Sequence, residues 1–225
     1  MSEIIVTPFQ GPDTMALIAL KNTVLFPKVV IPLIVNRPKS IAALEASLAQ
    51  ERLVLFVAQR TVEDEIGQED LFSVGTVGRI ISVFRLPDGS AKIDVEGVGR
   101  ARISEYVGFT PYFQVKVEPV VSTASMETPE NAALLRRVLE QFKHIAETRS
   151  FPSILPEVVY LMTQLKDVEQ VIGLVAANLN LDVQQQQEVL QTREYADALR
   201  QLNLYLSREM EVLEAEKNLA RETKK

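Results

Sequence analysis

The stretch Gly78-Arg79-Ile80-Ile81-Ser82-Val83-Phe84-Arg85-Leu86-Pro87-Asp88-Gly89-Ser90-Ala91-Lys92-Ile93-Asp94-Val95-Glu96-Gly97 decides how the first half of the chain folds. Asp88-Gly89 supplies residues that tolerate positive φ, which a tight turn requires. On both sides of it apolar and polar residues alternate, the period of a half-buried strand. Together they specify a β-hairpin with Leu86 and Pro87 at its tip.

Working outward, residues 17–20 (LIAL) and 29–35 (VVIPLIV) are short strand-forming runs bounded by Asn22, Pro27 and Pro38. Pro27, Pro32 and Pro38 belong at edges, bends or bulges rather than mid-sheet. Ser40 can cap a helix over 41–50, with Ile41, Leu44 and Leu48 on one face. Residues 53–58 (LVLFVA) are apolar throughout and read as a buried strand, and 61–70 read as a solvated acidic loop. Residues 101–106 and 112–121, the latter with Phe113, Val115 and Val117 on one face, complete about six strands. Six short strands and one helix predict a small mixed β-barrel, closed to hide its edges.

Near residue 125 the composition changes: eight of the nine glycines precede it and only Gly173 follows. Residues 121–130 (VSTASMETPE) read as a linker between a β-rich subdomain (1–120) and an α-helical one (131–225). Thr128 with Pro129 starts a helix carrying Leu134, Leu135, Val138, Leu139, Phe142 and Ile145. Short helices follow from Glu157 (Val158, Val159, Leu161, Met162, Leu165), from Asp167 and from Asp182. From about residue 193 a pattern free of Gly and Pro runs to the end, with Tyr195, Leu199, Leu202, Leu206, Met210, Leu213 and Ala220 at steps of three and four. Some 28 helical residues would reach roughly 42 Å, so this helix projects beyond its own bundle. The fold class is therefore α+β, a mixed barrel followed by an all-α bundle.

The chemistry is marked by what is missing. The 225 residues contain no cysteine and one histidine, which removes thiol nucleophiles, disulfides and two-histidine metal sites. No phosphate-binding GxxxxGK loop and no GxSxG elbow occurs. His144 lies mid-helix, and Gly75-Thr76-Val77-Gly78 reads as turn geometry rather than a nucleic-acid clamp. Asp94 and Glu96 share a strand face and read as solvated, as do Arg79, Arg85, Arg100 and Arg102 around the hairpin. Twenty-four basic against 30 acidic residues give a net charge of −6, which disfavours nucleic acid. No long apolar run or signal sequence is present, so no membrane partner and a cytoplasmic location are expected. These features describe a binding or assembly module rather than an enzyme.

The order of pieces resembles one family. Leu17 to Leu33 (LIALKNTVLFPKVVIPL), Arg37-Pro38-Lys39-Ser40, LVLFVAQ at 53–59, DLFSVGTVG at 70–78, LPDGS at 86–90 and VEG at 95–97 with RARI at 100–103 resemble the N-terminal domain of the Lon proteases. The likeness is strong over 17–121 and continues more weakly through the helical half. It implies a PUA-like barrel, then a helical bundle leading into an ATPase that uses ATP and Mg and a Ser-Lys dyad peptidase, neither of which this chain contains. The chain itself would need no cofactor and hold no catalytic or metal site. The implied function is recognition of unfolded, damaged or degron-bearing proteins in quality control, with assembly of a homo-hexamer. A PUA-like nucleic-acid-binding module and a stand-alone Lon-domain adaptor are the alternatives. Because such substrates expose apolar segments, the binding residues should be exposed and apolar: Phe26 and Pro27 in the first loop, Leu86 and Pro87 at the hairpin tip. Leu206, Met210 and Leu213 on the last helix are the candidates for pairing between subunits.

Overall fold

In the computed structural model of the chain, residues 4–5, 9–124, 128–149 and 167–222 are described. The strands are β1 (Ile4–Ile5), β2 (Thr14–Leu20), β3 (Val30–Val35), β4 (Leu53–Ala58), β5 (Val74–Arg85), β6 (Ala91–Gly108), β7 (Phe113–Pro119) and β8 (Thr123–Ala124). The helices are α1 (Pro38–Leu48), α2 (Pro129–Arg149), α3 (Val168–Asn178), α4 (Val183–Gln191) and α5 (Tyr195–Glu222).

The hairpin forms as its turn chemistry requires. β5 and β6 pair antiparallel from Arg85 opposite Ala91, and Gly89 takes φ +85°. The Asp88 carboxylate accepts from the Ser90 N–H at 3.0 Å and from its hydroxyl at 2.6 Å, which fixes the tip. These bonds also hold the Asp88 carboxyl below its ordinary pKa.

β6 continues for 18 residues, where the sequence pattern predicts two separate strands. Its start pairs with β3 and β5 and its end with β7. The main sheet has the order β3-β6-β5-β4-β2-β7, and the added β6–β7 pairing makes the ladder cyclic through β6, β5, β4, β2 and β7. β2 and β4 run parallel, joined through β3 and α1, so the sheet is mixed. β6 can pass the first loop only because position 97 is glycine: a Cβ there would lie 2.1 Å from the Phe26 carbonyl oxygen.

The unbroken apolarity of β4 has a direct cause. Leu55 and Val57 join one core with residues of α2 to α5, and Val54 and Phe56 join a second core with Ala43 and Leu44 of α1. Both faces of the strand are buried.

Three boundaries differ from the sequence reading. Arg37, not Ser40, is the N-cap of α1, because Pro38 pre-sets the first helical φ and starts the helix early. The 121–130 stretch contains β8, which pairs with β1, and the first residues of α2. α5 begins at Tyr195. The helix expected from Glu157 lies outside the described residues. Asp167 and Asp182 do cap α3 and α4, accepting from Gln170 N–H at 3.2 Å and Gln185 N–H at 2.8 Å.

The helical half is clasped to the sheet by named contacts. Arg100 of β6 is 6% exposed, and its Nη1 donates to the carbonyls of Leu190 (2.9 Å) and Thr192 (2.6 Å). These oxygens lie at the C-terminal end of α4, where free carbonyls and the helix dipole favour a cation. Glu169 Oε1 lies 3.7 Å from Arg100 Nε, and its other oxygen 3.5 Å from Lys28 Nζ, which also pairs with Asp167. Buried Gln187 of α4 donates to the Val74 carbonyl of β5 at 2.8 Å. α3 meets the first loop at Gly173, where a Cβ would lie 2.9 Å from both Phe26 Cβ and Val29 Cγ2.

Two expectations follow. Gly173→Val should lower the free energy of unfolding by about 1–3 kcal/mol through overpacking, and Arg100→Met by about 3 kcal/mol because it leaves the α4 carbonyls without their donor and takes from Glu169 one of its two cationic neighbours. Urea unfolding followed by circular dichroism checks both; unchanged midpoints would contradict the clasp. Burial, and then Glu169, hold the Tyr195 hydroxyl well above its ordinary pKa. The unfolded chain therefore releases this proton from about pH 10 while the folded chain keeps it, so stability must fall as pH rises above about 10. Melting temperature measured from pH 8 to 11 should fall less steeply in Tyr195→Phe than in the parent.

Candidate functional site

The pairing registers place three strands side by side on one outward face. Ile34 of β3 lies opposite Lys92 of β6, which lies opposite Phe84 of β5. The next rungs are Pro32–Asp94–Ser82 and Val30–Glu96–Arg79. Phe84 and Ile34 are each 67% exposed and Val30 55%, while Ile93 and Val95, which point the other way, are fully buried. A register shift between Ile80 and Ser82 turns Ile81 out as well. The result is an apolar face crossed by Lys92 and Asp94, with the Ser82 hydroxyl donating to the Asp94 carboxylate. Its inward side is core, so the face is presented on a stiff support.

Of the residues expected to meet substrate, the structure joins two to this face. Pro87 is exposed and Leu86 half-buried at the hairpin tip, adjoining Phe84. Phe26 and Pro27 are corrected: Phe26 is 2% exposed and Pro27 is buried, because α3 and α4 close over the first loop. They are interior residues of the clasp and present nothing to solvent.

The helix residues expected to pair subunits are corrected too. Leu206 and Leu213 are buried in their own chain's core and Met210 packs against it, since α2 lies along α5. The exposed apolar residues of α5 are instead Leu204, Val212 and Leu219.

The remaining candidates do not converge. Arg85 pairs with Glu45, Arg100 is buried in the clasp, and Arg79 and Arg102 stay apart on the surface. Gly75 and Gly78 lie within β5, where a Cβ would meet Phe56 at 2.3 and 2.6 Å, so they allow close strand packing rather than a turn. His144 is exposed on α2. Among the described residues no group of three His, Cys, Asp or Glu could hold a metal, and no helix is long and apolar enough to cross a membrane.

One aromatic cluster at the boundary of the core escaped the sequence reading. Tyr106 stacks on Phe109 with ring centres 5.9 Å apart, and Phe113 meets both edge-on. The Lys39 ammonium sits 4.4 Å above the Phe113 ring. Tyr106, Phe109 and Phe113 are brought together by the β6–β7 pairing and the short connection between the two strands, and Lys39 reaches them from α1.

The fold and sequence have known relatives. Residues 14–208 match the family model of the ATP-dependent protease La (LON) substrate-binding domain. The chain is 35% identical over 215 residues to a Lon protease of Trichlorobacter lovleyi, covering 94% of this chain and 26% of that protein. With the Lon protease of Escherichia coli K12 it shares 34% over 208 residues, 92% of this chain and 26% of that one. The chain thus spans about a quarter of the length of these relatives. The N-terminal domain of the Mycobacterium avium complex Lon protease superposes with a TM-score of 0.71 at 22% identity, over 86% of this chain and 98% of that one. A Lon N-terminal domain protein from Xanthomonas campestris gives 0.59 at 20%, over 84% and 96%. With its six-stranded mixed sheet, its helices and a match that spans most of its length, the chain belongs to the Lon substrate-binding domain family.

Proposed function

We propose that this chain recognises unfolded or damaged proteins for an ATP-dependent Lon-type protease, by docking their apolar segments on the outward face of β3, β6 and β5. The observation that carries this reading is the pair Phe84 and Ile34, each two-thirds exposed on a ribbon whose other side is core. Exposed aromatic and branched side chains on a rigid support are what an apolar segment of a non-native chain would cover. Lys92 and Asp94 among them offer pairing to either sign of charge without selecting one sequence. The hairpin tip, Leu86 and Pro87, extends the face.

In the parent protein the ATPase, with ATP and Mg, and the Ser-Lys peptidase would do the chemistry, in the cytoplasm and in protein quality control. The domain would serve as a PUA-like barrel with a helical bundle; the cyclic strand pairing supports the first term and the packing of α2 along α5 the second. Assembly into a hexamer would use the outer side of α5, where Leu204, Val212 and Leu219 recur at helical spacing. A nucleic-acid role finds less support, since the arginines around the hairpin do not form one patch.

Fluorescence anisotropy with a cysteine-blocked, permanently unfolded protein and with its folded form tests the first role. The unfolded form should bind preferentially, and Phe84→Ser with Ile34→Ser should weaken it by about tenfold or more, because each buried apolar side chain contributes about 1.5–3 kcal/mol. Unfolding midpoints should stay unchanged. Equal affinity for both forms, or full affinity in the double variant, would refute the reading. Sedimentation velocity tests the second role: Val212→Glu should reduce self-association of the chain, and Met210→Glu should act through stability instead.

A further inference from the structure

β3 ends the main sheet: among the described strands it pairs with β6 alone. The register tells which of its backbone groups that pairing uses, because bonded and non-bonded positions alternate along an antiparallel pair. The Gly97 N–H donates to the Val29 carbonyl at 2.9 Å, so the bonded positions continue through Ile31 with Val95, Leu33 with Ile93 and Val35 with Ala91. The hairpin fixes the same phase from the other side. There the Leu86 N–H donates to the Ser90 carbonyl at 2.9 Å, which makes Phe84 with Lys92 and Ser82 with Asp94 the bonded positions between β5 and β6. Val30, Pro32 and Ile34 therefore direct their backbone groups away from β6. Pro32 is tolerated at such a position, since its missing N–H takes nothing from the ladder. None of these outward groups has a hydrogen-bond partner among the described residues.

A second open edge faces the first across a groove of about 710 Å³, which Ala19 of β2 lines together with Pro32 and Ile34. β2 pairs with β7 only as far as Leu17 opposite Phe113. The Val117 N–H donates to the Asp13 carbonyl at 2.8 Å, so Met15 and Leu17 are the bonded positions on that side, and the alternation directs the Ala19 N–H and carbonyl the same way, past the end of β7. The Leu20 carbonyl, one residue on, accepts from the Gln59 N–H on the β4 side, as that phase requires. Backbone donors and acceptors of two strands thus border one groove.

One chemistry complements such borders, an extended polypeptide backbone. We propose that a non-native segment enters this groove as an added strand on β3, held by main-chain hydrogen bonds beside the apolar face. The inference rests on the reading of that face as the polypeptide site. Val30 and Ile34 each offer the guest an N–H and a carbonyl, and Pro32 offers a carbonyl. Guest residues opposite these three carry their side chains on the same side as Phe84 and Ile34 and so widen the apolar face, while the residues between them turn to the other side. The preferred segment is therefore apolar at every second residue, and its apolar residues are the ones whose N–H groups bond to β3. Opposite Pro32 one guest carbonyl finds no donor, which keeps the added strand weak enough to be released. The same proline disfavours a second copy of this chain as the occupant, because two β3 edges would bring two prolines into one ladder.

The test uses the whole chain and fluorescein-labelled peptides of about nine residues that alternate valine and serine. One peptide is unmodified, one is N-methylated at its valines and one at its serines, and fluorescence anisotropy reads the affinities. Methylation at the valines should weaken binding about tenfold relative to methylation at the serines, because it removes bonds to three carbonyls of β3 while serine methylation meets only Ala19. Pro32→Val, which supplies the absent donor, should tighten the unmodified peptide about fivefold and leave the valine-methylated peptide unaffected. Equal binding of the two methylated peptides would overturn strand addition and leave recognition by the apolar face intact. Dimers of the parent chain that the unmodified peptide disperses in sedimentation velocity would overturn the choice of a foreign segment and make β3 a seam between copies. Failure of the peptides while a permanently unfolded protein still binds would overturn strand addition alone; failure of both would overturn it together with the reading of the apolar face.

Discussion

The Arg100 guanidinium, held out of water between a strand and the end of a helix, is the constraint on which the rest of the arrangement depends. A buried cation needs acceptors and counter-charge close by, and here two carbonyls at the end of α4 accept from Nη1 while the Glu169 carboxylate lies 3.7 Å from Nε. Those partners all belong to the helical half, so β6 can bury Arg100 only when α3 and α4 are in place. Burial pulls the Arg100 pKa down and Glu169 acts against it, which keeps the charge that the carbonyls need. A sheet and a set of helices with different compositions are joined in this way around one continuous core.

That joining decides which surfaces remain available. The first loop, with Phe26 and Pro27, is covered by α3 and α4, and the inner stripe of α5 by α2. The outward side of β3, β6 and β5 is covered by none of the described elements, and neither is the outer stripe of α5. Exposed branched and aromatic side chains on a strand near a sheet edge would ordinarily invite aggregation. Pro32 on β3, Lys92 on β6 and the bulge at Ile81 limit that risk while leaving the apolar atoms open. A surface that meets non-native chains needs both properties.

Much of this was legible in the residues, where the cause is local. Asp88-Gly89 announced the hairpin, the unbroken apolarity of LVLFVA announced a strand buried on both sides, and Asp167 and Asp182 announced helix starts. What could not be read depends on long-range docking. The two-residue pairing of β1 with β8 spans most of the β-rich half and carries no local signal. The burial of Phe26 and Pro27 follows from the arrival of helices more than 130 residues later, as the contact of Gly173 with Phe26 makes plain. The lone glycine of the second half was the visible sign of that contact, although composition alone gave no way to interpret it. Likewise, Arg100 looked like one of four surface arginines, and the aromatic group at Tyr106, Phe109 and Phe113 took shape only through the register of β6 with β7.

The central claim is that non-native polypeptide is met by the outward face of β3, β6 and β5. The most direct measurement is a heteronuclear NMR titration of the chain with a permanently unfolded protein, following backbone amides and isoleucine methyl groups. The account predicts that the largest shift changes fall on Ile34, Ile81, Phe84 and Lys92, with the Arg100 clasp and the buried Phe26 loop unperturbed. Changes centred on the clasp or on α5, with β3 and the hairpin silent, would contradict it.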